Sequence, residues 1–291
     1  MPPKNTQPTQ QATENFRLAL KEASTNVNAE KFWLETSQQL YSLASKKDPQ
    51  HFLQWPAIQK VMFVNTKPYV VKEYSYLRRH RQWSSLWKYV LQENKVGSPT
   101  PFLLYPKSSP NLIHLAYHIA RFQNQFKENI VDADFVLEFG GGYDGMCRLF
   151  HNMGFKGQYV IFDLPAFSAL QVYYLSLLRL NAKCGVNPEG VSCISKITEL
   201  EQILEESFKK KMFIATWSIS ETPISLRNAF LKCVENFDLL LIAYQSAFFD
   251  VNNIRYFAEW SRKLCDVVWY NEEISHLKGN YYLFGKRVVQ D

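Results

Sequence analysis

The chain has 291 residues, of which 46% are hydrophobic and 15% aromatic, and this length suits one large domain or two modest ones with ample core. The sequence nowhere reaches the uninterrupted apolar length of a membrane span, and its polar start is unlike a signal peptide. The net charge is +6, and the five cysteines form no C-x-x-C pair, which favours free thiols in a reducing compartment over disulfides or zinc. We therefore expect a cytoplasmic protein without a metal site.

The pattern of the first 130 residues predicts a helical and basic region. Residues 1–15 are rich in Pro, Gln, Thr and Asn, a composition typical of a disordered tail. Apolar residues at helical spacing over 16–45 predict two helices, broken near Thr25–Asn28. Residues 1–130 hold 17 Lys+Arg against 8 Asp+Glu, whereas residues 131–291 hold 16 against 19. The basic half could serve an anionic partner, although a generally solvated surface explains the charge at least as well.

Within this region, Tyr74–Val90 interleaves aromatic residues with the basic run Arg78–Arg81. Such a stretch can form a stacking platform for RNA bases or sugar rings. An amphipathic helix with an aromatic core face and a solvated basic face is the favoured interpretation.

A second amphipathic helix is predicted over Asn111–Phe126, and it carries two histidines. His114 and His118 are four residues apart and therefore share a helix face. No carboxylate accompanies them as in the H-E-x-x-H pattern of zinc enzymes. We expect packing or substrate contact rather than metal binding.

From residue 131 onwards, apolar runs alternate with amphipathic stretches, which predicts a series of βα units. Parallel strands are expected at 135–139, 159–163, 191–194, 212–216 and 239–243, and a closing antiparallel pair at 267–270 and 281–286. This alternation predicts an α/β fold built on a doubly wound sheet. We expect residues 16–130 to form a helical cap or substrate region, and 131–291 to form the ligand-binding domain.

The most informative stretch is the turn that follows the first expected strand. Glu138 ends that strand and is soon followed by Gly140–Gly142. Glycines allow positive φ and a close approach of a ligand to the backbone, and the amides of the next helix face that ligand. Asp144 is expected to cap this helix. Asp163 ends the next strand, where an acid can accept hydrogen bonds from ribose hydroxyls.

These features favour a nucleoside-type ligand over a purely structural turn. A nicotinamide cofactor is the less favoured ligand, although Gly140, Gly142 and Gly145 have the spacing of the dinucleotide fingerprint, with Tyr143 and Asp144 before the third glycine. A P-loop is excluded, because no Gly-Lys-Ser/Thr follows the turn.

The segment Glu138-Phe-Gly-Gly-Gly-Tyr143 resembles motif I of class I S-adenosylmethionine-dependent methyltransferases. Together with four further segments, this segment is similar to the sugar O-methyltransferases, a family that is defined largely by prediction. The resemblance covers about residues 131–291. The further segments are Asp163-Leu-Pro165, Tyr173–Leu175, Thr216–Glu221 and Asn280–Tyr282. Asp144 departs from the pattern, since many members have glycine there.

The resemblance implies a Rossmann-like sheet of the class I methyltransferase type, S-adenosyl-L-methionine as cofactor, and methyl transfer to a hydroxyl of a sugar or glycoconjugate. The cofactor-binding residues it implies are Glu138, Gly140, Gly141, Gly142, Tyr143, Asp163, Leu164 and Trp217. Among them, Asp163 would bind the ribose and Leu164 would pack on the adenine.

Catalysis should depend mainly on holding the nucleophile, the methyl carbon and the sulfur in line. A sugar hydroxyl is a poor nucleophile, however, and benefits from a general base. Glu221, after the fourth expected strand, is the first candidate, although a carboxylate at a helix start is an equally good explanation. His276 is the second candidate, with a surface-loop histidine as the simpler explanation.

Two other functions remain open. The chain could be an RNA methyltransferase that uses Arg78–Arg81 and the neighbouring aromatic residues. It could also be a non-enzymatic module that keeps the fold and binds a partner through its N-terminal half. Salt-dependent binding of single-stranded RNA would indicate the first, and failure to bind S-adenosylhomocysteine the second.

Overall fold

The computed structural model describes residues 7–23, 31–62 and 68–288. The part before the sheet is helical, as expected. Its helices are α1 (Gln7–Ala23), α2 (Lys31–Lys46), α3 (Pro56–Val61), α4 (Val70–Arg79), α5 (Lys88–Val90) and α6 (Pro110–Phe126). Short 3₁₀ turns occupy Pro49–Gln54 and Ile130–Asp132, and a π turn occupies Trp83–Trp87. The expected helix break near Thr25–Asn28 lies outside the described residues.

Alternating strands and helices make up the rest of the chain. The strands are β1 (Phe135–Phe139), β2 (Gln158–Phe162), β3 (Ala182–Cys184), β4 (Val191–Ile194), β5 (Lys211–Thr216), β6 (Leu239–Gln245), β7 (Ala247–Phe248), β8 (Val251–Asn252), β9 (Val267–Glu273) and β10 (Asn280–Arg287). The helices are α7 (Gly145–Asn152), α8 (Pro165–Leu177), α9 (Ile197–Leu204), α10 (Ile224–Cys233) and α11 (Asn253–Ser261), with a 3₁₀ turn at Ser218–Glu221. No helix of the described residues combines the length and the apolar character needed to cross a bilayer.

Eight strands form one sheet in the order β3-β4-β2-β1-β5-β6-β10-β9. All neighbours are parallel except β10, which is antiparallel to both β6 and β9. The chain winds outwards from β1 in both directions, so the strand order reverses between β1 and β5. The expected fold class is confirmed: an α/β fold with a Rossmann-like, mostly parallel sheet, closed by a C-terminal antiparallel hairpin and preceded by helices.

Two small strand elements were not expected. Edge strand β3 has three residues with no buried side chain, and β7 and β8 form a separate two-stranded hairpin of two residues each. None of these three strands has the apolar run that predicts a strand, because none of them is covered on both faces.

Residues 7–15 were expected to be disordered, but they form the first half of α1, so that expectation was wrong for them; residues 1–6 lie outside the described part. Phe16 and Leu20, four residues apart, are buried, and Phe16 stacks on Tyr173 of α8 with ring centroids 5.0 Å apart. Tertiary packing therefore stabilises a helix whose start has a composition typical of disorder.

The single helix expected over Tyr74–Val90 is broken after α4. His80 has an extended conformation, with ψ 139°, and the chain continues through the π turn into α5. Trp87 Nε1 donates to His80 Nδ1 at 3.0 Å, which holds the two parts together. Trp83 and Trp87 are both buried. The aromatic side chains of this stretch therefore belong mainly to the core, as the favoured interpretation required.

Candidate functional site

The carboxyl ends of β1, β2 and β5 border a cavity of about 890 Å³. This edge is where ligands bind in doubly wound sheets, and the volume is that of a small-molecule site. The sheet side of the lining includes Glu138–Gly142, Asp163, Leu164, Trp217, Ser218 and Glu221. The helical region contributes Ala19, Trp33, Met62, Asn111 and His114, among others. The N-terminal helices thus form the wall that faces the sheet.

The three glycines of the turn serve different purposes. A Cβ on Gly140 would lie 2.3 Å from Ser218 Cβ, and one on Gly141 would lie 2.5 Å from Asp144 Oδ1. These two glycines are required by the packing of the protein itself. Gly142, with φ +61°, has only the side chain of Met62 nearby, at 3.5 Å or more. Of the three positions, Gly142 therefore has the most open space where a side chain would stand.

Asp163 is joined to the glycine turn. Its Oδ2 accepts from the Gly142 amide at 3.3 Å and from Gln171 Nε2 at 2.7 Å, and its Oδ1 accepts from the Leu164 amide at 2.8 Å. A carboxylate offers about four acceptor positions, so capacity for a further donor remains on Oδ1. Burial raises the pKa of Asp163 to about 7, against the lowering effect of these bonds. The two segments on which the nucleoside hypothesis depends are thus adjacent.

Two more carboxyl groups lie beneath the turn. Glu138 accepts from the Tyr159 hydroxyl at 2.7 Å, and burial raises its pKa to about 7, with the nearby Asp163 adding to the rise. Burial, with Glu138 and Asp163 close by, also raises the pKa of Asp144 well above its ordinary value. Both groups are therefore stabilised in their neutral forms relative to an exposed carboxyl group.

Asp144 does not cap α7, so that expectation was wrong. It has a left-handed backbone, with φ 73°, makes no capping bond, and points its side chain into the core. Neither carboxyl oxygen has a hydrogen-bond partner among the described residues. Because its backbone turns the side chain away from the helix start, the sequence rule for caps does not apply.

Trp217, which follows β5, borders the cavity and has a strained backbone conformation. Its φ of +66° is unusual for a bulky residue, and such conformations cost on the order of 1–3 kcal/mol. The indole Nε1 donates to Asn280 Oδ1 at 2.6 Å, and the ring stacks on His114 with centroids 5.4 Å apart. These contacts hold the aromatic face beside the cavity.

Tyr143 is buried and serves mainly as an anchor for the helical region. Its hydroxyl accepts from Asn111 Nδ2 at 2.8 Å, and its ring contacts Phe52 and Tyr174. The cofactor-binding role expected for Tyr143 stays a prediction, although the residue does border the cavity.

Of the two candidate bases, the structure brings one to the cavity. Glu221 lines the cavity and accepts from Gln245 Nε2 at 3.2 Å, and burial raises its pKa to about 7. Its role as a base stays a prediction. His276 is not part of the lining; its side chain is 4% exposed, and its Nε2 lies 2.9 Å from Glu73 Oε1. It is therefore neither at the cavity nor on an open surface loop.

The sequence did not lead us to predict a cluster of buried titratable side chains next to His114, outside the rest of the cavity lining. Glu73 of α4 is fully buried and contacts both His276 and His114, whose Nδ1 lies 2.8 and 2.9 Å from its two carboxylate oxygens. A signal existed in the sequence: Glu73 is three residues after Val70 and four before Leu77, both buried, so it shares their helix face. An acid on an apolar face requires a partner.

The basic run Arg78–Arg81 lies away from this site. None of its residues borders the cavity, and Arg78 instead covers the buried Trp83 ring, with its guanidinium carbon 5.0 Å from the ring centroid. The described part of the cavity lining contains one lysine, Lys196, and no arginine.

No family model and no curated protein matches the sequence. Among solved structures, the methyltransferase domain of bacterial CtHen1-C is 12% identical, covers 61% of this chain and 98% of its own, and has a TM-score of 0.41. "PigF with SAH" is 10% identical, covers 96% and 95%, and has a TM-score of 0.39. SAH-bound PaMTH1, a methyltransferase of Podospora anserina, is 8% identical, covers 77% and 89%, and has a TM-score of 0.38. Likeness at this level carries no inference about the activity of this chain.

Proposed function

We propose that the protein is an S-adenosylmethionine-dependent methyltransferase that acts on a hydroxyl group of a sugar or glycoconjugate. The observation that carries the proposal is the direct link between the glycine turn and the acid of the next strand, at the edge of a cavity large enough for a cofactor and an acceptor. The sequence resemblance to motif I supports the adenosyl ligand.

The residues present fit such a cofactor. Asp163 has acceptor capacity left for a ribose hydroxyl, Gly142 has room for a ligand against its backbone, and Leu164 offers an apolar surface for adenine. When bound, S-adenosylmethionine supplies a methyl group that is already activated on a sulfonium sulfur. The contribution of the protein is then to place the acceptor oxygen in line and to remove its proton.

The composition of the rest of the cavity lining supports a neutral hydroxyl acceptor. Trp33 and Trp217 provide aromatic surface, and Asn111, His114 and Glu221 provide polar groups. A few polar groups among apolar walls are typical of small-molecule sites. A polyanionic RNA strand would be bound mainly through Lys and Arg, and of these the described lining includes Lys196 alone. RNA methylation is for this reason the less favoured function.

Transfer of label from S-adenosyl-L-[methyl-³H]methionine tests the proposal. The acceptors are methyl glycosides of glucose, mannose, galactose, rhamnose and fucose, the sugar nucleotides UDP-glucose and GDP-mannose, and total RNA in parallel. We expect label in at least one sugar and none in RNA. Label in RNA alone would replace the proposed acceptor class. No binding of S-adenosylhomocysteine by the folded protein would favour a non-enzymatic module.

A further inference from the structure

The cluster around Glu73 joins three elements that are distant in sequence. Glu73 of α4 lies between His114 of α6 and His276 of the loop between β9 and β10, which are 41 and 203 residues away along the chain. Burial favours the neutral acid, but the two histidines outweigh it, and the pKa of Glu73 lies below its ordinary value. At neutral pH, Glu73 is therefore an ionised carboxylate that only accepts hydrogen bonds.

The charge of Glu73 determines where the protons of the histidines are. Because a carboxylate accepts, His114 must donate through Nδ1–H and His276 through Nε2–H. The neutral His114 ring then carries its lone pair on Nε2. A histidine whose Nδ1–H is held by a carboxylate is oriented, and the positive charge that forms when Nε2 accepts a proton is stabilised.

His114 is also placed where a base is needed. It borders the cavity, and its ring stacks on Trp217 at the switch point of the sheet. His118 also packs against it, with ring centroids 4.2 Å apart. Burial, with His114 and His276 adding to the effect, holds the pKa of His118 well below its ordinary value, so this ring is neutral. It therefore does not repel a positive charge on His114.

We propose that His114 is the general base of the methyl transfer, and that Glu73 and His276 are positioning residues that orient it. This inference rests on the proposed function. His114 Nε2 takes the proton of the acceptor hydroxyl while the acceptor oxygen bonds to the methyl carbon, and the carbon–sulfur bond breaks with its electron pair going to sulfur. The proton leaves later from the imidazolium to solvent. Glu221 then binds a further hydroxyl of the acceptor.

A first test needs no methyl transfer. Nitrogen-15 spectra of the histidine rings, recorded at neutral pH on the complex with S-adenosylhomocysteine and assigned with His114→Asn, report the tautomer of each ring. We expect the neutral form of the His114 ring to carry its proton on Nδ1, and Glu73→Gln to give a mixture of tautomers. A proton on Nε2 of the neutral wild-type ring would overturn the proposal.

A second test measures the single-turnover rate of label transfer to the mixture of the five methyl glycosides. In His114→Asn the amide nitrogen stands near the place of Nδ1, so the bond to Glu73 is kept while the base is lost. We expect this rate to fall about 10²- to 10⁴-fold, the usual contribution of a general base, with affinity for S-adenosylhomocysteine unchanged within about twofold. Glu221→Gln should lower the rate by less than about tenfold.

A pair of variants at His276 tests its positioning role. His276→Gln keeps a donor near the place of Nε2, whereas His276→Ala does not. We expect the glutamine variant to stay within about threefold of the wild-type rate and the alanine variant to lose about tenfold or more. A wild-type rate in His114→Asn, or a larger loss in Glu221→Gln than in His114→Asn, would overturn the assignment. A wild-type protein that transfers no label to these sugars would contradict the acceptor class, and the tautomer spectra would still decide the state of His114.

Discussion

The described part of the chain holds two groups of buried carboxyls, which differ in their partners. Glu73 is 0% exposed and has two imidazole donors, and its pKa lies below the ordinary value. Glu138 and Asp144 are 3% and 0% exposed; one accepts from a tyrosine and the other has no partner among the described residues. The pKa of each of these two is raised. Partners that can carry positive charge, rather than depth of burial, therefore determine which acids stay ionised.

The difference in pKa between the two groups corresponds to their places in the candidate site, one beneath the glycine turn and one next to His114. Beneath the glycine turn, the raised pKa values of Glu138 and Asp144 limit repulsion with Asp163, which we propose as the carboxyl group that faces the ligand. Next to His114, the proposed base, an ionised acid is useful, because a base that accepts a proton becomes positively charged. Variants that replace Glu73, Glu138 and Asp144 one at a time test this contrast.

The largest effect is expected for Glu73→Ala. Removing one partner of a buried charged cluster leaves the histidine N–H groups without an acceptor, and such losses cost about 3–5 kcal/mol. Chemical denaturation at pH 7 measures the free energy of unfolding. Glu259→Ala is the matched control, because its pair with Arg255 is exposed, and we expect no measurable change there. Equal stability of Glu73→Ala and wild type would contradict the account of the cluster.

A smaller effect is expected for Glu138→Gln, and it depends on pH. The folded pKa of about 7 exceeds the unfolded value of 4.5, so the stability associated with this group is fully present below about pH 4.5 and is lost as pH rises through 7. Relative to the glutamine variant, the wild-type protein should lose roughly 2–4 kcal/mol between pH 4.5 and 8. Glutamine still accepts from Tyr159, so that bond is kept. Parallel stability curves for the two proteins would show that Glu138 is ionised in the folded state.

An effect of the opposite sign is expected for Asp144→Asn. Burial, with Glu138 and Asp163 close by, raises the folded pKa of Asp144 well above the unfolded value, so its ionisation as pH rises costs stability that the amide does not lose. The variant should be more stable than wild type at pH 7, and the gain should disappear below about pH 4. Destabilisation at pH 7 would indicate that Asp144 is charged and has a partner.

Much of the sheet could be predicted from the sequence, because buried parallel strands leave continuous apolar runs. The bounds of β1 are the predicted ones, and those of β2 and β5 differ from the prediction by one residue at one or both ends. Edge strand β3 could not be predicted, because an exposed strand has no such run.

The site was only partly predictable. Its sheet side follows from local spacing, since Gly142 and Asp163 lie just beyond the carboxyl ends of the neighbouring strands β1 and β2. The meeting of Glu73, His114 and His276 depends on how α4 and α6 pack against the sheet, and no local pattern encodes that packing. The prediction that Asp144 caps α7 was wrong for a related reason. A residue with a left-handed backbone conformation can bury its side chain instead of capping the helix.

Calorimetric titration with S-adenosylhomocysteine tests the central claim most directly, namely that the glycine turn and Asp163 together hold an adenosyl group. We expect the wild-type protein to bind, Asp163→Ala to bind ten- to a hundredfold more weakly through the loss of charge-assisted hydrogen bonds, and Glu259→Ala to bind as the wild type does. Absence of binding by the folded wild-type protein, or equal affinity in Asp163→Ala, would contradict the account.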